Sequence, residues 1–99
     1  MPTHTVSRSQ VGVYAITLVA NTEEIVNFAD DVGTIEIFNM DGAAPVYFTV
    51  NAAAATVAGQ HTRMIPASIA SIQYDPTTSN PTSVSLISPG TPTISVARA

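Results

Sequence analysis

The apolar residues of this chain are dominated by side chains that branch at Cβ. Valine and isoleucine together supply 20 of the 99 residues, whereas leucine occurs only twice. Branching at Cβ restricts χ1 and suits the pleated surface of a sheet better than a helix. Residues that favour helices are scarce, since lysine is absent and arginine occurs three times, although there are fourteen alanines. The composition therefore predicts an all-β protein.

Apolar segments of strand length recur along the chain, separated by turn-forming residues. Their spacing of roughly 8–12 residues is typical of a β-sandwich or jelly roll. Residues 1–10 are polar and predict an extended N-terminal arm, or a short first strand, before a single domain that spans 11–99. The domain is expected to contain about eight short antiparallel strands, at 11–20, 22–28, 34–39, 45–50, 61–66, 69–74, 83–88 and 93–97.

Two neighbouring segments show the clearest alternation. In the first, Ile35 and Ile37 share one face and Glu36 lies on the other, and the second, 45–50, alternates in the same way. An Asp-Gly pair at 41–42 separates them, which is typical of a hairpin turn. The pattern predicts that the two segments form an antiparallel hairpin.

The longest apolar run covers residues 11–20. It is too short to span a bilayer as a helix, which requires about 20 residues. The run also has some features of a signal-peptide core that follows Arg8, but one arginine is a weak charged region, and Tyr14 and Thr17 interrupt the run. We interpret the run as a buried strand and expect a protein made in the cytoplasm with no membrane association.

Charge and cysteine content exclude several function classes. Nucleic-acid binding needs cations that replace phosphate counterions, and this chain has a net charge of −4 and no lysine. The absence of cysteine excludes disulfides, thiolate metal sites and a cysteine nucleophile. Only 10% of the residues are charged, and no lysine protects the sheet edges. We infer that much of the surface packs against other protein, as in a homo-oligomer or a lattice subunit.

Residues suited to catalysis or metal binding are few. His4 lies in the predicted arm and His61 lies at the start of a predicted strand, and neither a G-x-S-x-G motif nor a glycine-rich phosphate loop is present. Five acidic residues occur within 23–36, but their spacing does not match a calcium-binding loop, and we interpret them as a solvated rim. We therefore expect no enzymatic activity, no cofactor and no metal site.

The aromatic residues allow two interpretations. Four of them would form a binding patch if the fold brought them together, but packing in the core or on a sheet is the commoner role of such side chains. These four are Tyr14, Tyr47, Phe48 and Tyr74.

In residues 28–50, a predicted strand ending in Asn39 is followed by x-Asp-Gly and by the strand Val-Tyr-Phe-Thr-Val, and in residues 86–96 the segment Ser-Pro-Gly-Thr-Pro separates two short predicted strands. These two segments resemble small virion structural proteins of tailed bacteriophages, especially those of actinobacterial hosts, and residues 86–96 resemble the closing hairpin of that family. The chain departs from the pattern at 51–55, where asparagine and four alanines replace an expected Asp-Gly turn.

The resemblance implies a non-enzymatic capsid decoration (cement) protein on the outside of the phage head. Its partners would be the major capsid protein and copies of itself, with a trimer favoured. The alternative is a tail- or fibre-associated virion protein that binds a host surface or carbohydrate. Because an extended segment can add a strand to an exposed sheet edge, we expect the arm to contact the capsid or a neighbouring copy through Thr3, His4, Thr5, Val6, Ser7 and Arg8.

Overall fold

A computed structural model describes residues 3–7, 10–29, 34–51, 54–60, 62–74 and 82–98. These residues form nine strands and no helix, so the predicted all-β fold is confirmed, and none of them forms a helix that could cross a membrane. One strand more than the predicted eight is present, because part of the predicted arm is itself a strand. The strands are β1 (Thr3–Val6), β2 (Gly12–Thr17), β3 (Glu24–Phe28), β4 (Ile35–Asn39), β5 (Val46–Val50), β6 (Arg63–Ile65), β7 (Ala70–Tyr74), β8 (Thr82–Ile87) and β9 (Thr93–Arg98).

The strands form two sheets that pack face to face. One sheet has five strands in the order β1-β3-β8-β5-β6, and the other has four in the order β2-β9-β4-β7. Neighbouring strands are antiparallel, as predicted, except that β1 runs parallel to β3. The fold is thus a β-sandwich with one parallel pair at the edge of the five-stranded sheet.

Alternate side chains of both sheets point into one apolar core, as expected for two stacked sheets. Ile37 of β4 and Phe48 of β5 are completely buried, whereas Phe38 is partly exposed on the opposite face of β4. Burying a side chain of this size contributes about 1.5–3 kcal/mol. The core consists of Val6, Ile16, Leu18, Val26, Phe28, Ile35, Ile37, Val46, Phe48, Ile65, Val84, Leu86, Ile94 and Val96.

The chain changes sheet at most of its turns, which makes two sequence predictions wrong. The predicted hairpin between 34–39 and 45–50 does not form, because β4 pairs with β7 and β9 while β5 pairs with β6 and β8. The expected closing hairpin at 86–96 also does not form, since β8 and β9 lie in different sheets. Of the consecutive strands in the described residues, β5 and β6 alone pair with each other.

The β4–β5 connection crosses between the sheets and is organised by Asn39, whose side chain is buried. Its Nδ2 donates to the carbonyl oxygens of Ala44 at 3.0 Å and Pro66 at 3.1 Å, and its Oδ1 accepts from the Gly42 N–H at 3.1 Å. Gly42 has a φ of +67°, and a Cβ there would lie 2.8 Å from the backbone of Ser68, so glycine is required. The Asn-x-Asp-Gly segment is therefore a crossover loop.

Asp41 connects the β4–β5 loop to the start of β9 through hydrogen bonds. Its carboxylate accepts from the backbone N–H of Ala43 at 3.1 Å and of Thr93 at 3.2 Å. These N–H groups, that of Ala43 most strongly, lower the pKa of Asp41 from its ordinary value of 3.8. Because the folded-state pKa is the lower one, these contacts stabilise the loop fully above pH 3.8 and weaken as the pH falls through the folded-state pKa.

Candidate functional site

The two sheets differ in how their outer faces are covered. On the five-stranded sheet, the β5–β6 loop packs against the strands, so that Ala55 is buried and its N–H donates to Ser85 Oγ at 3.0 Å. The same hydroxyl donates to the Glu23 carboxylate. Thr49 and Ser85, which alternate with core residues and so point outward, are consequently buried. No comparable cover lies on the four-stranded sheet in the described part of the chain.

The outer face of the four-stranded sheet carries an apolar groove with a volume of about 350 Å³. Tyr14 of β2 and Phe38 of β4 form its two walls, and Ser95 of β9, which pairs directly with Phe38, forms the floor between them. Met40 and Ile69 complete the lining. We call this site, lined by these five residues, the outer groove.

A β-bulge in β2 places Tyr14 on the outer face. The register against β9 shifts between Val13 and Ile16, and Ala15 has a φ of 59°. The extra residue lets both Val13 and Ile16 pack toward the core while Tyr14 projects outward, where 78% of it is exposed. The sequence prediction of a buried strand at 11–20 is therefore wrong for much of this run.

The outer groove continues into a smaller hollow of about 160 Å³ beside β2. Small residues form much of its surface, namely Gly12, Ser95 and Ala97. Gly12 lies so close to β9 that a Cβ there would be 2.1 Å from the Val96 carbonyl oxygen. Position 12 therefore has no room for a side chain, and the small residues around it leave a recess in the surface of the sheet.

The outer groove is almost free of polar and charged groups. Ser95 and the Tyr14 hydroxyl are the polar side-chain groups in its lining. Of the described strand residues on this face, Glu36 alone is charged. The groove thus offers no general acid or base beside a nucleophile and no cation for a phosphate. It has the character of an interaction surface for an apolar side chain, since exposed apolar patches mark such sites.

The predicted arm lies in the chain's own sheet in the structure. Strand β1 pairs with β3, Val6 is 1% exposed in the core, and His4 Nε2 lies 2.9 Å from Oε1 of the buried Glu24. Thr3 and Thr5 point outward and are exposed. The segment therefore completes the sandwich of its own chain, and its role in contacting a neighbouring molecule stays a prediction.

Arg98 holds the turn that follows β1. Its Nη2 donates to the Ser7 carbonyl oxygen at 2.9 Å and its Nε to that of Gln10 at 2.8 Å, while its guanidinium lies 5.4 Å from the centre of the Phe28 ring. Ser7 itself is exposed, and Arg8, the last residue of the predicted interface, lies outside the described residues. Arg98 of β9 thus connects the predicted arm to both sheets, through hydrogen bonds to residues 7 and 10 and through its contact with Phe28.

The aromatic residues considered from the sequence do not form one patch. Phe48 lies in the core, Tyr47 lies half-buried on the five-stranded sheet, and Tyr14 lies on the outer face of the other sheet. The side chain of Tyr74 lies outside the described part of the structure. The sequence prediction did not include Phe38 as a groove residue. The alternation in β4 places Phe38 on the same outward face as Glu36, where a polar residue is expected, so a large apolar side chain at this position was the available signal.

The acidic residues are also dispersed. Glu23 contacts Ser85, Glu24 contacts His4, and Glu36 lies on the other sheet. The described residues contain no group of three or more side chains placed to hold a metal ion. Asp30, Asp31 and His61, which were also considered from the sequence, lie outside the residues that the structure describes.

No family model matches this chain, and no curated protein matches it. Two solved structures are similar to it. The pre-peptidase C-terminal domain of a Bacillus anthracis collagenase matches with a TM-score of 0.51 and 13% identity, over 96% of this chain and 92% of that chain. Aeromonas hydrophila PliG, a periplasmic inhibitor of g-type lysozyme, matches with a TM-score of 0.50 and 13% identity, over 97% and 96%. At this identity the similarity shows a shared fold.

Proposed function

We propose that this chain is a non-enzymatic virion structural protein that decorates the outside of a phage head. It binds the major capsid protein through the outer face of the four-stranded sheet, and it needs no cofactor. The observation that carries the proposal is the outer groove, an apolar recess that the described residues leave uncovered and uncharged, whereas the other outer face is partly covered by the β5–β6 loop. The resemblance of residues 28–50 to virion proteins supports the same assignment.

The size of this face fits repeated binding to a lattice. The molecule measures 30 × 25 × 23 Å, so one face projects roughly 600–750 Å², within the range of about 600–1,000 Å² per partner in a standard stable interface. Buried area does not set the affinity by itself, and because the outer groove offers few polar groups for hydrogen bonds, we expect a single copy to bind with modest affinity. Contacts between copies on the lattice would then raise the occupancy, because linked binding events reinforce one another.

A cation placed in the outer groove is expected to weaken binding to the capsid strongly. The Ser95→Arg variant brings a guanidinium onto the groove floor between two aromatic side chains, where docking of an apolar side chain would bury it without a partner. We expect at least a tenfold loss of affinity, measured by co-sedimentation with purified heads that lack this protein.

The matched control is Gln60→Arg, which adds the same charge at an exposed position of the β5–β6 loop, on the side of the other sheet. This variant is expected to bind within about twofold of the unmodified protein, and circular dichroism checks that both variants are folded. Equal binding by both variants would show that the groove does not contact the capsid.

The second candidate is a tail- or fibre-associated protein that binds carbohydrate. The two aromatic side chains on either side of an open groove favour it, because aromatic faces can pack against the apolar faces of sugar rings. Ligand sites also need polar groups that orient the ligand, and the outer groove supplies little beyond the Ser95 and Tyr14 hydroxyls. Binding to a panel of surface glycans, lost in Ser95→Arg, would favour this candidate.

A further inference from the structure

The four edge strands of the two sheets differ in how well they are protected against pairing with another chain. Natural edges are protected by short length, bulges, proline or charge. Strand β6 has three residues and is followed by Pro66, β2 contains the bulge, and β1 has four residues. Strand β7 has five residues without charge, proline or register shift, and in the described residues it pairs with β4 alone.

The core is also incomplete at this edge. Ala70 and Ile72 of β7 point inward but stay partly exposed, although their partners on β4, Asn39 and Ile37, are completely buried. The outward-directed N–H and C=O groups of β7 have no strand partner within the described residues. A further strand beside β7 would satisfy these groups and cover Ile72.

We propose that β7 pairs antiparallel with β7 of a second copy, which joins two four-stranded sheets into one of eight strands. A two-fold axis beside Ile72 places the Ile72 residues of the two copies opposite each other. Ser71 of each copy then lies opposite Gln73 of the other copy. A strand that carries charge of one sign brings like charges together when it pairs with its own copy across a two-fold axis, whereas an uncharged strand avoids this repulsion. The sequence Ala-Ser-Ile-Gln-Tyr is uncharged in a protein of net charge −4.

The pairing has a consequence for the outer grooves. Both grooves lie on the same side of the joined sheet, because antiparallel pairing across a two-fold axis perpendicular to the sheet keeps equivalent faces together. The dimer therefore presents two apolar recesses side by side. A trimer instead requires a different, heterologous contact. The proposed dimer does not depend on the identity of any other partner.

Two lysines on β7 are expected to dissociate the dimer. In Ser71→Lys/Gln73→Lys, each added ammonium faces another across the two-fold axis, and like charges directly opposite are destabilising. Both positions are exposed on the outer face, and position 73 pairs with Glu36 within the chain, so the fold is expected to tolerate the change. We expect the dimer dissociation constant to rise at least tenfold in sedimentation-velocity experiments over a wide concentration range.

Charge complementation identifies the register. In Ser71→Glu/Gln73→Lys, the carboxylate at position 71 faces the ammonium at position 73 of the second copy, so dimerisation is expected to return to within about threefold of the unmodified protein. The matched control, Val57→Lys/Gln60→Lys, adds two lysines at exposed positions of the β5–β6 loop, on the other sheet and outside the predicted arm, and is expected to dimerise normally. A monomer at all concentrations, a trimer, or a dimer unaffected by the two lysines in β7 would overturn the proposal.

Discussion

The Phe48→Ala variant is expected to lose about 3–5 kcal/mol of the free energy of unfolding. Phe48 is completely buried in β5, near the middle of the five-stranded sheet, and points toward the opposite sheet. Truncating a buried phenylalanine removes its transfer free energy and leaves a cavity that the surrounding side chains fill incompletely. A domain of this size is stable by about 5–15 kcal/mol in total. The variant is therefore expected to be largely unfolded at modest urea concentrations, as measured by circular dichroism.

Phe38 supplies the matched control for this variant. It lies on the outer face of β4 with 38% of its surface exposed, so Phe38→Ala removes a partly buried side chain and is expected to cost about 1–2 kcal/mol, clearly less than Phe48→Ala. The same variant removes one wall of the outer groove and is expected to weaken capsid binding while leaving the fold intact. Similar losses of stability in the two variants would contradict the assignment of Phe48 to the core and Phe38 to the surface.

The Asn39→Ala variant is expected to cost about 2–4 kcal/mol. The side chain makes three hydrogen bonds to backbone groups in two loops, and alanine leaves the carbonyls of Ala44 and Pro66 and the N–H of Gly42 without these partners. Each buried polar group left unpaired costs about 1–3 kcal/mol, although water entering the loop recovers part of this. Urea denaturation followed by fluorescence or circular dichroism measures the change.

Two further variants test the role of the amide. Asn39→Asp keeps an oxygen that accepts from Gly42 but replaces the donor to the two carbonyls, so it is expected to destabilise at least as strongly as alanine. Asn27→Ala removes the same amide from the middle of β3, where the side chain points outward, and is expected to cost less than about 0.5 kcal/mol. A small effect of Asn39→Ala would mean that the crossover loop does not depend on this side chain.

The strand positions were largely predictable from the sequence, but the pairing of the strands was not. The alternation around Ile35 and Ile37 and around Val46 and Phe48 identifies which side chains are buried. In a sandwich each sheet buries one of its faces, so strands of either sheet show the same alternation. The pattern is therefore compatible with two consecutive strands paired in one sheet as a hairpin and with two consecutive strands in different sheets. The Asp-Gly pair favoured the hairpin. The buried side chain of Asn39 and the close packing of Gly42 against Ser68 make the segment a crossover instead.

The outer groove depends on contacts between distant parts of the chain. Ser95 and Phe38 become neighbours because β9 pairs with β4, and this pairing has no local sequence signal. The run at 11–20 was interpreted as a buried strand because it is apolar throughout. The bulge at Ala15, which turns Tyr14 outward, replaces the regular alternation on which that interpretation relied. The low charge of the chain predicts an interaction face without locating it, and the interaction itself stays a prediction.

An electron cryomicroscopy reconstruction of virions that carry this protein tests the proposed function most directly. We predict density for the β-sandwich on the outer surface of the head, with the four-stranded sheet and the outer groove facing the major capsid protein. Density at the tail or fibres, or on the head with the outer groove facing solvent, would contradict the proposal.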